Sequence, residues 1–191
     1  MTTCPDDELE PLLALAAQDD EAAIGRIDAL LPIYEDARLL FLKGSLLAGL
    51  QRYDEARREM HAALLLSPGF DLARFQFGFL EFTSGFPDAA AQIWAPFQQS
   101  SEENAFRLLA MGLMRLAEDR WADARRFLLN GMALNTEHPL INNDMQLILD
   151  ELHDKGLISD DGLPQEESAT SPVDQLLLQA QLRAVPGETR H

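Results

Sequence analysis

Histidine and cysteine, the typical zinc ligands, are few in this sequence and widely separated. The histidines are His61, His138, His153 and His191, and the single cysteine is Cys4. No two of them show the short spacing typical of paired zinc ligands. Cys4 is expected to lie in a frayed N-terminus, and one cysteine allows no internal disulfide. We therefore predict neither a metal site nor a cofactor.

The sequence also lacks residue patterns typical of acid–base catalysis or phosphate binding. The adjacent pairs Glu102-Glu103 and Asp160-Asp161 fall in predicted loops, whereas acid–base catalysis needs carboxyl groups that face each other across a cleft. Gly44-Ser45 lies inside a predicted helix, so it is not a nucleophile at a strand end, and no phosphate-binding loop or nucleotide fingerprint is present. The sequence therefore predicts a protein that is not an enzyme.

Small and bulky residues recur at one constant interval along the chain. Three sets share the same spacing: Gly44, Gly78 and Gly112; Ala56, Ala90 and Ala124; Met60, Trp94 and Leu128. Small residues allow two antiparallel helices to approach closely, and larger ones fill the space beside them. Glycine costs about 1 kcal/mol of helix propensity relative to alanine, so its recurrence indicates a packing requirement. Turn-forming residues fall between the two helices of each unit, as in Ser84-Gly-Phe-Pro.

These residues and this period resemble the tetratricopeptide-repeat (TPR) family, whose unit is a helix-turn-helix of about 34 residues. The resemblance covers residues 37–70, 71–104 and 105–138. The first unit matches best, with Gly44, Tyr53, Ala56, Ala63, Leu64 and Pro68 at family positions. The second unit departs at Pro87 and Phe97, and Pro96 should kink or end its second helix. The resemblance implies an all-α solenoid with three repeats.

Other segments flank the three units. Residues 1–36 are predicted to form a degenerate N-terminal helical repeat, with helices from about Asp7 to Ala17 and from Asp20 to Leu31. Residues 139–155 are predicted to form a capping helix, which solenoids need at their ends. Residues 156–172 are predicted to form an acidic linker, and residues 173–191 are predicted to form a tail with a short amphipathic helix. The apolar residues of that helix include Val173, Leu176, Leu177, Leu178 and Leu182.

The TPR resemblance implies a concave groove lined by the first helix of each unit. Helical spacing within those helices assigns the following residues to a peptide-binding surface: Arg38, Phe41, Leu72, Phe75, Phe79, Phe82, Phe106, Leu109 and Leu113. Family members that bind a C-terminal carboxylate carry Lys and Asn where Phe41 and Ser45 stand here, which argues against such a clamp. An apolar groove suits an amphipathic helix or an extended apolar segment. Alternatively, the chain's own terminal helices cover these side chains.

Charge and hydropathy narrow the partners. The net charge is −17, which repels nucleic acid and anionic membrane surfaces. Apolar runs such as residues 62–66 are too short to cross a bilayer, and the acidic N-terminus does not resemble a secretory leader, so we expect a cytoplasmic protein without membrane insertion.

The sequence predicts a scaffold or adaptor that binds an apolar or amphipathic polypeptide, including a chaperone-like variant. The chain's own C-terminal helix is a second candidate ligand. The alternatives are a self-associating structural TPR protein and a non-catalytic regulatory subunit of an enzyme complex.

Overall fold

The computed structural model describes residues 3–158, and within this range the chain is helical and contains no strand. The helices are α1 (Asp6–Ala16), α2 (Asp20–Leu30), α3 (Ala37–Gly49), α4 (Tyr53–Leu66), α5 (Asp71–Thr83), α6 (Pro87–Trp94), α7 (Ala105–Ala117), α8 (Trp121–Leu134) and α9 (Pro139–Asp154), with a 3₁₀ segment at Ala95–Gln99. The all-α prediction is confirmed for this part of the chain. The predicted tail, and the predicted linker from residue 159 onward, lie outside the described residues.

Contacts divide the chain into two compact units, Met1–Phe77 (unit 1) and Gly78–His191 (unit 2), with the boundary inside α5. Unit 1 contains a core cluster formed by α1, α2 and the start of α3, with Leu12, Ile27 and Leu39 among its buried side chains. In unit 2, buried residues come from α7, α8 and α9, including Leu113 and Met145.

Helix boundaries follow the predicted period. The first helices of the three predicted units begin at residues 37, 71 and 105, and the second helices begin at 53, 87 and 121. The capping helix begins at 139, which continues the interval of the first helices, and it ends at Asp154 as predicted. The N-terminal pair also forms, each helix ending one residue before its predicted end.

The recurring glycines make the same contact in each helical pair. A Cβ atom on Gly44 would lie 2.7 Å from Met60 Cγ, and one on Gly112 would lie 2.7 Å from Leu128 Cγ. On Gly78 it would overlap the indole ring of Trp94. Each glycine thus faces the bulky residue of the third periodic set, sixteen positions later in the sequence. The glycines are therefore required by the close approach of the two helices.

The direction of the helices follows from a second contact in unit 2. Gly112 of α7 faces Leu128 of α8, while Leu109, three residues earlier in α7, faces Gly131, three residues later in α8. Moving back along one helix corresponds to moving forward along the other, so α7 and α8 are antiparallel. In each contact a glycine on one helix accommodates a leucine on the other.

The turn inside each pair also repeats. Gln51, Gly85 and Asp119, which are separated by the same interval as the glycines, all have positive φ, at 62°, 87° and 57°. The following backbone N–H donates to the carbonyl five residues earlier, for example Arg52 to Leu47 at 2.8 Å and Arg120 to Arg115 at 2.9 Å. This left-handed termination is the Schellman motif, in which glycine is favoured, yet glycine occupies only the second of the three turns.

Helix α6 is the irregular member of the series. It contains 8 residues, whereas α4 and α8 contain 14 each. Pro96 lacks a backbone N–H and cannot continue the α-helical ladder, and the chain changes to 3₁₀ geometry at Ala95. The prediction that Pro96 ends this helix is confirmed.

The expected frayed position of Cys4 was wrong. Its side chain is 1% exposed, and its N–H donates to Asp36 Oδ2 at 2.9 Å. Burial opposes the charge of Asp36, but hydrogen bonds from the Arg38 side chain and from the Arg38 and Cys4 N–H groups outweigh it and hold the Asp36 pKa below its ordinary value. This buried carboxylate, which also caps α3 through Arg38 N, anchors the start of the described chain.

Candidate protein-binding surfaces

In unit 1, the predicted site residues Arg38 and Phe41 both contact other parts of the unit. The Arg38 guanidinium donates to Asp36, to Asp6 and, at 2.6 Å, to the Cys4 carbonyl oxygen. Phe41 is half-buried and packs edge to face on Phe70, with ring centroids 5.2 Å apart. Arg38 therefore holds the N-terminal segment, while Phe41 keeps an accessible edge.

Four of the predicted site residues are buried. Phe75, Leu109 and Leu113 are 0% exposed and Phe82 is 5% exposed. The Phe82 ring lies 6.2 Å from the Trp94 ring, centroid to centroid. These four side chains therefore contribute to the core and are not accessible to a partner.

Leu109 shows why helical spacing alone did not separate the surface from the core. It lies three residues after Phe106 and three before Gly112, and a step of three residues turns a helix by about 300°. Leu109 is thereby turned toward α8, where it faces Gly131. Residues spaced three to four positions apart lie on a helix face that is wide enough to include both the groove and the interior of the helical pair.

The predicted residues Leu72, Phe79 and Phe106 are half-buried. Phe106 lies in a stack of three rings in unit 2: its centroid is 6.0 Å from that of Phe97 and 5.6 Å from that of His138. This stack connects the 3₁₀ segment, the start of α7 and the residue that precedes α9. It fixes the orientation of Phe106 while leaving part of the ring accessible.

The two exposed leucines of the capping helix α9 were not predicted from the sequence. Leu140 and Leu147 of α9 are 75% and 67% exposed. They occupy the positions of Phe106 and Leu113 one repeat later in the sequence. Extending the period into the capping helix would have found them. Phe106, Leu140 and Leu147 are referred to below as the apolar strip.

Asp144 lies between these two leucines, on the same face of α9 by helical spacing. It is half-buried, and its carboxylate has no hydrogen bond or ion pair within the described range. Burial raises the pKa of its carboxyl above the ordinary value. The strip thus places two exposed leucines and a half-buried phenylalanine beside one acidic group whose charge is not compensated.

A cleft of about 530 Å³ lies between α6 with its 3₁₀ extension and α7. Trp94 and Phe97, both 3% exposed, form part of its lining, and the half-buried Met111 and Met114 line it from α7. The cleft lies beside Trp94, the last residue of the shortened helix α6. Methionine side chains are flexible and adapt to differently shaped apolar ligands.

The wall of this cleft carries two arginines. Arg107 Nη1 donates to the Ser100 carbonyl oxygen at 2.7 Å, and Arg115 forms an ion pair with Glu118. Arg115 Nε is buried without a hydrogen-bond partner among the described residues. The polar part of the lining therefore contains the free donors of Arg107 and the Arg115–Glu118 ion pair, beside an apolar part.

Two kinds of site were not found within residues 3–158. No group of three or more His, Cys, Asp or Glu side chains is placed to hold a metal ion. None of the helices in this range combines the length and the apolar composition needed to cross a bilayer.

Comparisons with protein-family models, with curated proteins and with solved structures found no match to this chain. The TPR resemblance therefore depends on its residues and on the repeated contacts described above.

Proposed function

We propose that this chain is a TPR-type helical-repeat scaffold that binds an apolar or amphipathic segment of another polypeptide and carries out no catalysis. Its proposed location is the cytoplasm. A TPR-type arrangement is supported by one glycine contact, one turn conformation and one set of helix boundaries, all of which recur at the same interval. Coincidence of these three independent features is typical of repeat proteins.

The observation that carries the binding proposal is the exposure of Leu140 and Leu147. They lie seven residues apart on one helix, or roughly 10 Å along its axis, which matches the i and i+7 anchor spacing of an amphipathic helix. Most large apolar side chains in the first helices of the repeats are buried or half-buried. Leaving these two in water has an energetic cost that a bound partner would remove.

Asp144 specifies the chemistry of the partner further. A carboxylate between two apolar anchors is best compensated by a lysine or arginine on the bound segment, and the net charge of −17 also attracts a basic ligand. The favoured ligand is therefore an amphipathic segment with leucine-like side chains on one face and a basic residue beside them.

The test uses a short synthetic amphipathic helix of leucine and lysine, labelled for fluorescence anisotropy, as the probe. Leu140→Glu with Leu147→Glu should weaken its binding by at least about tenfold, since each buried leucine contributes roughly 1.5–3 kcal/mol. The added negative charges alone would attract the basic probe more strongly, so a loss of affinity reports lost apolar contact.

The matched control is Leu13→Glu with Leu65→Glu, which adds the same charge at exposed leucines of unit 1. Binding by this control should equal or exceed that of the unchanged chain. Equal losses in both variants would show that the strip is not the binding surface. Affinity purification with the unchanged chain and the strip variant, followed by mass spectrometry, would then identify the natural partner.

A self-associating structural protein is the second candidate, because the same exposed leucines could be covered by another copy. Light scattering across a range of concentrations separates the two. A mass that doubles with concentration, and remains monomeric in the strip variant, would favour self-association. A regulatory subunit of an enzyme complex would instead bind its catalytic partner through the strip.

A further inference from the structure

The α6–α7 cleft is a second surface, separate from the apolar strip. Met111 and Arg115 lie five and nine residues after Phe106 in α7, which turns them by about 140° and 180° around the helix axis. They therefore belong to a different face from the ring stack of Phe106. Phe97 connects the two surfaces, because it lines the cleft and stacks on Phe106, while Phe106, Leu140 and Leu147 do not line the cleft.

The dimensions and lining of the cleft suit a short apolar segment. Its volume of about 530 Å³ falls within the range of roughly 300–1,000 Å³ that is usual for ligand sites. Trp94 and Phe97 supply rigid aromatic surface, and two methionines supply adaptable surface.

Arg107 adds a requirement for negative charge. A guanidinium has five N–H donors, and the described residues engage one nitrogen of Arg107, through the Ser100 carbonyl. No carboxylate within residues 3–158 forms an ion pair with it, although acidic residues outnumber basic ones by 32 to 15 in the whole sequence. A ligand with a carboxylate close to apolar side chains therefore complements this cleft.

We propose that the cleft binds residues 173–185 of the same chain. This segment carries one carboxylate, Asp174, shortly before the run Leu176-Leu177-Leu178. Asp174 would pair with Arg107, and the leucines would contact Trp94 and the methionines. The segment thus combines the acidic group and the apolar side chains that complement the cleft.

The connection is long enough for this contact. The described chain ends at Ile158, which is buried and belongs to the same unit as the cleft. Residues 159–172 span up to roughly 46 Å at about 3.3 Å per residue, whereas a compact body of about 80 residues has a radius of gyration near 12 Å. Tethering provides an effective concentration on the order of millimolar, so even a weak contact is populated.

The test is disulfide cross-linking in the full chain with Cys4→Ala as background. Met111→Cys is combined with Leu177→Cys, and the control combines Asn130→Cys, on the exposed side of α8, with the same Leu177→Cys. Circular dichroism verifies that both variants are folded. We expect an intramolecular disulfide to form about tenfold faster in the cleft pair than in the control. Equal rates would overturn the proposal, and so would a predominantly dimeric product.

Charge reversal supplies a second measurement in the full chain, one that keeps Met111 and Trp94 unchanged. Arg107→Glu and Asp174→Arg should each increase the accessibility of Leu177→Cys to a thiol reagent by about fivefold. The double variant should restore protection, because the pair is re-formed with opposite sign. Single variants with no increase in thiol reactivity would contradict the pairing of Arg107 with Asp174. A double variant as reactive as the single variants would contradict it as well.

Discussion

At the scale of single residues, two carboxylates of the described residues, Asp36 and Asp144, differ in how their charge is compensated. Asp36 is buried but is compensated by Arg38 and by the Cys4 N–H, so it stabilises the fold. Asp144 is half-buried and has no such partner within the described residues. An uncompensated carboxylate that weakens folding is typical of a position retained for binding.

Replacing Asp144 by asparagine tests this distinction. Burial raises the folded-state pKa of Asp144, so the charged form destabilises the fold and the penalty disappears as pH falls through that pKa. Asp144→Asn should therefore raise the free energy of unfolding at pH 7, measured by urea denaturation, and have less effect near pH 4.

The same substitution should weaken binding of the leucine–lysine probe by about fivefold at pH 7, which corresponds to the contribution of one exposed ion pair. Glu10→Gln, which removes one exposed charge from unit 1, is the control and should change neither quantity appreciably. Increased stability without any loss of affinity would mean that Asp144 plays no part in binding.

At the scale of helices, packing within each pair depends on glycine. The Cβ position of Gly78 overlaps the indole of Trp94, which is 3% exposed. Gly25 of α2, in contrast, has no atom within 4 Å of its Cβ position. These two helical glycines differ in packing and share their intrinsic cost to the helix.

Gly78→Ala should therefore destabilise the protein by about 1–3 kcal/mol through overpacking, even though alanine is the better helix former. Gly25→Ala should stabilise it by about 0.5–1 kcal/mol. Thermal and urea denaturation followed by circular dichroism measure both changes. Two substitutions with the same sign would show that Gly78 does not face Trp94.

At the scale of the whole molecule, charge opposes the attraction between exposed apolar side chains. The net charge is −17 at neutral pH and the isoelectric point is about 4.4. Repulsion between copies is lost near that pH, which leaves Leu140 and Leu147 free to drive association.

Light scattering as a function of pH should therefore show a maximum between about pH 4 and 5, where solubility is lowest. The variant Leu140→Glu with Leu147→Glu should scatter less at the same pH, after its slightly lower isoelectric point is taken into account. If both proteins associate equally, the association comes from charge neutralisation alone and does not involve the strip.

The helices and their period could be predicted from residue types alone. Glycine, alanine and the bulky set at one constant interval predicted the period, because close helix packing restricts residue size at particular positions. The unit boundaries at 37, 71 and 105, which the TPR resemblance implied, coincide with the observed helix starts. Pro96 indicated the early end of α6, since a missing N–H acts locally. Local backbone requirements and close packing between neighbouring helices restrict which residue types can occur at a position. Both can therefore be recognised in the sequence.

Accessibility of the apolar side chains, in contrast, was settled by tertiary packing. Phe79 and Phe82 are both phenylalanines three residues apart, yet Phe82 is buried beside Trp94 while Phe79 is half-buried. Leu113 is buried and Leu147, at the equivalent repeat position, is two-thirds exposed. Exposure depends on which elements pack over a residue. The helical pattern of a sequence predicts the face of the helix on which a residue lies, but it does not predict which elements pack against that face.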